Sequence, residues 1–309
     1  QWSVDEPAAF WAATWEYLGI RSTQDFTRVL DDPGRIPGAQ WFEGAMLNYA
    51  DNLLRPEYKG IAIVSYTETS RRVELTWDEL RAQVANVAAT LRSLGVAKND
   101  RVAALLPNCP ETIVAMLATA SIGAIWSSCS PDFGRDGVLD RFGQIEPKIL
   151  FAADGYSYNG KYIDSRSLVG AIVQKLPELQ ALILVAFQSD EPEFNAFPNA
   201  VLFRDISVGD EQLVFEPLPF SHPLYIMYSS GTTGVPKCIV HSAGAALIQH
   251  QKEHVLHTDV KAGDVLFYFT TCGWMMWNWL VSGLASGATL LLYDGSPFHP
   301  GPDTLWRIA

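Results

Sequence analysis

From Gly60 onward, short apolar runs alternate with segments whose apolar residues recur at helical spacing. The run at 61–66, bounded by Gly60 and a polar stretch, predicts a strand. Thr76-Trp77-Asp78-Glu79 has the S/T-x-x-E form of a capping box. It opens a helix with Leu80, Val84, Val87, Leu91 and Leu94 on one face, and Gly95 is placed to end it. Strands are then expected at 101–106, 123–127, 148–152 and 182–186, and helices at 111–122, 138–145 and 168–176. Such alternation predicts an α/β fold with mostly parallel sheet covered by helices.

Before this region, Phe10, Trp11, Trp15 and Leu18 have helical spacing, while Pro33-Gly34 and Pro37-Gly38 interrupt it. Residues 1–58 therefore read as a helical and loop extension. A polar, proline-containing stretch at 188–198 reads as a loop. A second lobe is expected from 219, giving units 1–58, 59–218 and 219–309.

No charged residue or histidine occurs from Val265 to Tyr293, a length that could cross a bilayer, which takes about 20 apolar residues. Thr270, Thr271, Asn278, Ser282, Ser286 and three glycines punctuate it. It reads instead as strand 265–269, helix 277–285 and strand 288–293 in a buried core, so no membrane span is expected.

Composition narrows the partners. A net charge of −12 argues against a nucleic-acid backbone. Cys109, Cys129, Cys238 and Cys272 lack metal-like pairing, and Gln1-Trp-Ser-Val-Asp-Glu has no leader pattern. Reduced thiols and a cytoplasmic setting are expected, with no metal ligands assigned and an oligomer left open.

The densest chemistry lies between two apolar runs, at Tyr228-Ser-Ser-Gly-Thr-Thr-Gly-Val-Pro-Lys237. Gly231 and Gly234 permit close backbone approach and positive φ. Backbone N–H groups, the hydroxyls of Ser229, Ser230, Thr232 and Thr233, and the Lys237 ammonium all suit phosphate oxygens. A Walker A loop would place Gly before the lysine and a hydroxyl after it, and would open a helix. Here Pro236 precedes, Cys238 follows, and Cys238-Ile239-Val240 reads as strand. Strand–loop–strand excludes phosphoryl transfer of the P-loop type. An ordinary Gly/Ser turn is the plainer alternative.

This loop resembles the signature of the adenylate-forming superfamily, which includes acyl-CoA synthetases, luciferases and peptide-synthetase adenylation domains. Trp41-Phe-Glu-Gly-Ala-Met-Leu-Asn-Tyr-Ala-Asp-Asn-Leu-Leu54 is similar to the entry segment of acetyl-CoA synthetases. Trp126-Ser-Ser-Cys-Ser-Pro-Asp-Phe-Gly134 and Gly273-Trp-Met-Met-Trp-Asn278 resemble acetoacetyl-CoA synthetases most. The resemblance implies the large N-terminal domain of an adenylate-forming enzyme, layered mostly parallel sheets flanked by helices, incomplete here. Members run to about twice this length, so the later magnesium, ribose and hinge residues are expected beyond Ala309.

The resemblance further implies small-molecule substrates: ATP, used with Mg²⁺, a short acid such as acetoacetate, and coenzyme A. Lys237, Thr232 and Thr233 take the catalytic roles. Ser229, Ser230, Gly231, Thr232, Thr233, Gly234 and Lys237 cradle the phosphates. Trp274, Met275 and Met276 line the acyl pocket, where thioethers could fit a keto acid; plain core filling is the alternative. Lys161 is a weak candidate for coenzyme A, since a lone surface lysine is usually just solvated. His250-Gln-Lys-Glu-His254 matches an inverted zinc-protease pattern but reads as a solvated helix after the cradle. Three readings remain open: acetoacetyl-CoA synthetase, another short-chain acyl-CoA synthetase, or a non-catalytic nucleotide-binding module.

Overall fold

In the computed structural model, residues 1–189, 192, 200–229 and 234–309 are described. Helix α1 spans Pro7–Leu18, with proline in its first turn, where a missing N–H costs nothing. Strand β1 (Ile61–Thr67) pairs antiparallel with β2 (Arg72–Thr76), which the sequence pattern did not suggest. Helix α2 (Trp77–Ser93) begins at the expected capping box: Thr76 Oγ1 accepts from Glu79 N (3.2 Å) and Thr76 N donates to Glu79 Oε2 (2.8 Å). Leu80, Val84, Val87 and Leu91 are buried along its inner face, and Gly95 ends the turn at φ +80°.

The alternation continues through β3 (Arg101–Leu105), α3 (Pro110–Ser121), β4 (Ile125–Cys129), α4 (Arg135–Ile145), β5 (Ile149–Ala153), α5 (Arg166–Val173) and β6 (Ala181–Val185). Short β7 (Ala200–Leu202) follows a stretch, mostly outside the described residues, that includes most of the expected loop at 188–198. Next come β8 (Pro223–Ser229), β9 (Lys237–Ser242), α6 (Ala243–Lys252), β10 (Val265–Phe267), α7 (Met275–Ser282) and β11 (Thr289–Asp294).

Two sheets organise these elements. The larger has order β7-β6-β5-β3-β4-β8-β9, parallel throughout except for the final β8–β9 pair. The smaller has order β10-β11-β1-β2, parallel except for β1–β2. The sheets cut across the expected division at 219. Strands β8 and β9 complete the sheet begun at Arg101, whereas β11 pairs with β1, Leu290 opposite Ile63. Local pattern reports a strand's period but not its neighbour, and a buried parallel strand accepts either sheet.

Residues 1–58 are also not an appendage. Asn48 caps the helix Tyr49–Leu53, and its Nδ2 donates to the carbonyls of Ala120, Ser121 and Glu216. Trp15 stacks on Phe42 at 4.8 Å, and Phe42 meets Phe220 at 4.7 Å. One hydrophobic cluster holds Trp15, Phe42 and Tyr49 together with Leu91, Trp126 and Leu290. Among the described residues, no helix is long and apolar enough to cross a membrane.

Candidate active site

The cradle sequence joins two antiparallel strands. Tyr228 faces Cys238, and Ser229 faces Lys237, so the strand pair closes where the loop leaves it. Ser230, Gly231, Thr232 and Thr233 lie outside the described residues. Gly234 has φ +107° with nothing within 4 Å of a would-be Cβ, which fits the positive-φ role expected of it. Lys237 is exposed and makes no ion pair among the described residues. Its ammonium is thus available to an anion.

A residue missed by sequence reasoning stands beside this hairpin. The Arg141 guanidinium from α4 lies 4.6 Å from the Phe133 ring centroid and 5.7 Å from that of Tyr228. It adds a second cation near the strand that leads into the cradle. Nothing in its local spacing distinguishes it from any arginine on an amphipathic helix. From the same helix, Gln144 Nε2 donates to Pro236 O (2.9 Å), tying down the far end of the loop.

The segments 126–134 and 273–278 are in contact. Trp126 Nε1 donates to Ser128 Oγ (3.1 Å), and Ser128 Oγ donates to Cys272 O (2.6 Å). Gly273 lies so close to Ser130 N and Phe133 that a Cβ would sit 3.3–3.4 Å from them. The loop 270–274 therefore crosses the carboxyl end of β4, the edge where parallel sheets present ligands. Trp277 Nε1 donates to Asn108 Oδ1 (2.9 Å), fixing the first turn of α7 to the loop after β3.

Trp274 precedes that helix and is 66% exposed, Met275 is 43% exposed, and Met276 is half-buried. Core filling does not describe a tryptophan so open. Met275 lines a cavity of about 450 Å³, together with Trp11, Trp41, His241, His250 and Trp279.

Lys161 belongs elsewhere. It starts the second strand of a hairpin formed by Gly155–Tyr158 and Lys161–Asp164, another element the polar sequence concealed. The residue lines a separate cavity of about 660 Å³ with Glu68, Ser157, Gln188 and His299. Burial raises the Glu68 carboxyl's pKa, but hydrogen bonds from the N–H groups of Ser296, Gly160 and Asn159 outweigh it, so Glu68 stays below its ordinary value. An ionised acid in the same cavity weakens the case for an anionic ligand there.

The solvated-helix reading of His250 and His254 fails, because both are buried, 7% and 0% exposed. His250 Nδ1 lies 2.7 Å from Ser282 Oγ. His254 donates Nε2–H to Trp279 O (2.8 Å), and its ring lies 4.2 Å from that of Trp279. Each is held by α7, and among the described residues no three His, Cys, Asp or Glu come together to hold a metal.

The model of the AMP-binding enzyme family matches residues 56–309. The chain belongs to the AMP-binding enzyme family. A second family model, acetyl-coenzyme A synthetase N-terminus, matches residues 1–53. Acetoacetyl-coenzyme A synthetase of Rhizobium meliloti (strain 1021) is 53% identical over all of this chain and 47% of its own length. Acetoacetyl-CoA synthetase of Rattus norvegicus is 49% identical with the same shares covered. The solved structure of acetoacetyl-CoA synthetase from Streptomyces lividans superposes with TM-score 0.94 at 48% identity, over all of this chain and 47% of that one. The chain spans about half the length of the curated relatives it matches.

Proposed function

We propose that this AMP-binding chain is the phosphate- and acyl-binding portion of an ATP-dependent, AMP-forming acid–CoA ligase, specifically an acetoacetyl-CoA synthetase of the cytoplasm. The observation that carries the reading is the packing of the segment 273–278 over the end of β4, beside a phosphate-suited hairpin. An acid bound at Met275 and Met276 would meet a nucleotide bound at Lys237. Relatives named for this activity match the chain throughout.

In the first step a carboxylate oxygen attacks the α-phosphorus of ATP. The bond to the bridging oxygen breaks, and its electron pair leaves with pyrophosphate. Lys237 offers a point charge to the outer phosphates, and the hydroxyls of Ser229, Ser230, Thr232 and Thr233 orient them alongside the N–H groups of Gly231 and Gly234. In the second step the coenzyme A sulfur attacks the acyl carbon, and the carbon–oxygen bond to AMP breaks. No protein nucleophile is required. Lys161 would meet a phosphate of coenzyme A only against the ionised Glu68 of the same cavity. Magnesium, when bound, would balance phosphate charge.

The test is acetoacetate-dependent exchange of pyrophosphate into ATP by the full-length enzyme. Lys237→Ala should lower kcat/KM by about 10²–10³-fold, the usual cost of one preorganised charge donor. Absence of exchange in the unaltered enzyme, or a wild-type rate in the variant, refutes the reading. Nucleotide binding without exchange would leave a binding module.

A further inference from the structure

Two imidazoles face the cavity beside Met275, and the phosphate chemistry uses neither. For His250 the hydrogen-bond count decides the tautomer. Ser282 Oγ has one proton and three neighbours: Asn278 O at 2.8 Å, Tyr49 OH at 2.7 Å and His250 Nδ1 at 2.7 Å. A carbonyl only accepts, so Ser282 donates to Asn278. Tyr49 and His250 must then both donate to Ser282. The His250 proton sits on Nδ1, and Nε2 carries a bare lone pair. Burial pushes the pKa of this ring down to about 3, so it takes no second proton near neutrality.

His241 is differently placed. It lies on β9, where side chains alternate, so Lys237, Ile239 and His241 share one face. Four residues of strand separate the two ends of that face by roughly 13 Å. The His241 ring lies 5.1 Å from the Tyr225 ring, tilted by 34°, and makes no hydrogen bond among the described residues. Burial holds its pKa below the ordinary histidine value, leaving a neutral ring with one N–H to give. Gln249 and Glu253 also line the cavity, and Gln249 Nε2 donates a hydrogen bond to Glu253 Oε1 (2.8 Å).

A 3-oxo acid carries a carbonyl that needs a donor. Tautomer-locked His250 has none to offer, whereas His241 does. We propose that His241 reads the 3-keto oxygen of the acid and is the residue that separates 3-oxo acids from plain alkanoic acids, an inference that rests on the function proposed above. His250 complements it, because its lone pair suits an acid bearing a hydroxyl at the same carbon. A site built to hydrogen-bond a substrate group discriminates against the analogue that lacks it, since the polar group is left unpaired.

The experiment compares acetoacetate with butyrate, and with 3-hydroxybutyrate, in acid-dependent ATP–pyrophosphate exchange by the full-length enzyme. His241→Leu should cut the acetoacetate-to-butyrate ratio of kcat/KM about 10–100-fold, the usual cost of leaving a buried carbonyl unpaired. The 3-hydroxybutyrate-to-butyrate ratio should fall far less, and His241→Gln, which keeps a donor, should recover much of the acetoacetate preference. A ratio unmoved by His241→Leu overturns the inference, as does equal loss on all three acids. An unaltered enzyme that exchanges with butyrate but not acetoacetate overturns the proposed substrate and the inference with it.

Discussion

A buried imidazole and a half-buried carboxyl pull stability in opposite directions as pH falls, and their separation is a quantitative test of the core. The His250 pKa is lowered by burial from 6.5 to about 3. Between these values the unfolded chain binds the proton and the folded one does not. Its contribution is therefore present above pH 6.5 and is lost as pH falls. The Asp294 pKa is raised by burial from 3.8 to about 7, against a hydrogen bond from Asn108 N at 3.2 Å. Here the folded chain holds the proton, so its contribution is present below 3.8 and is lost as pH rises through about 7. From pH about 7.5 to about 5.5, linkage gives a loss of roughly 1.4 kcal/mol from His250 and a gain of roughly 1.9 kcal/mol from Asp294. The pair nearly cancels, so each effect must be isolated by substitution. Asp294→Asn keeps an acceptor for Asn108, and His250→Asn keeps a donor for Ser282. Urea unfolding at both pH values should show wild type minus Asp294→Asn shifting toward wild type at the acid pH by about 2 kcal/mol. Wild type minus His250→Asn should shift the other way by about 1.4 kcal/mol. Two differences of the same sign, or two that ignore pH, would refute the assignment of a neutral imidazole and a protonated carboxyl.

Replacing Met275 by Val and Met276 by Thr should move acid preference from acetoacetate toward acetate, read as the ratio of kcat/KM in exchange assays; an unchanged ratio removes the thioethers from substrate choice. Gly244→Ala should destabilise by about 1–3 kcal/mol in thermal or urea unfolding, because its Cβ would fall 2.1 Å from Phe220 Cδ2 in a buried contact. Lys161→Ala should raise the KM for coenzyme A while leaving the KM for ATP unaltered. No effect on either would make Lys161 an ordinary solvated lysine.

Elements with a strong local code were legible in the sequence. The capping box at Thr76 and the apolar face of α2 are both present, and the strand–loop–strand reading of 224–241 matches the β8–β9 pair. What escaped was information carried by partners. The hairpin at 155–164 is polar on the surface and pairs only with itself, so it has no apolar period to read. Strand β1 looks like the start of the first sheet, yet its neighbour β11 lies more than two hundred residues later. His250 and His254 look solvated because i,i+4 histidines among polar residues usually are. Their burial depends on α7, whose Ser282 and Trp279 they meet, while α1 also packs on α6. The two strands that flank the proposed cradle form as expected, and Arg141 lies over the Tyr228 ring from a helix whose sequence gives no hint of phosphate.

The same hidden contacts set the distance between the two candidate subsites. Strand β9 begins at Lys237 and runs without a break into α6. Helix α7 begins at Met275 and is bound to α6 by His250–Ser282 and to the turn Glu253–His257 after it by His254–Trp279. Tyr49, from the extension, completes the junction at Ser282 (2.7 Å). Two polar links in a nearly dry interior resist shear better than apolar packing alone, because sliding would leave buried donors unpaired. Changing the size of residues 275 and 276 can therefore alter which acid fits without moving the phosphate end. The histidines that resembled a zinc motif hold the proposed acyl wall at a fixed offset from the proposed nucleotide cradle.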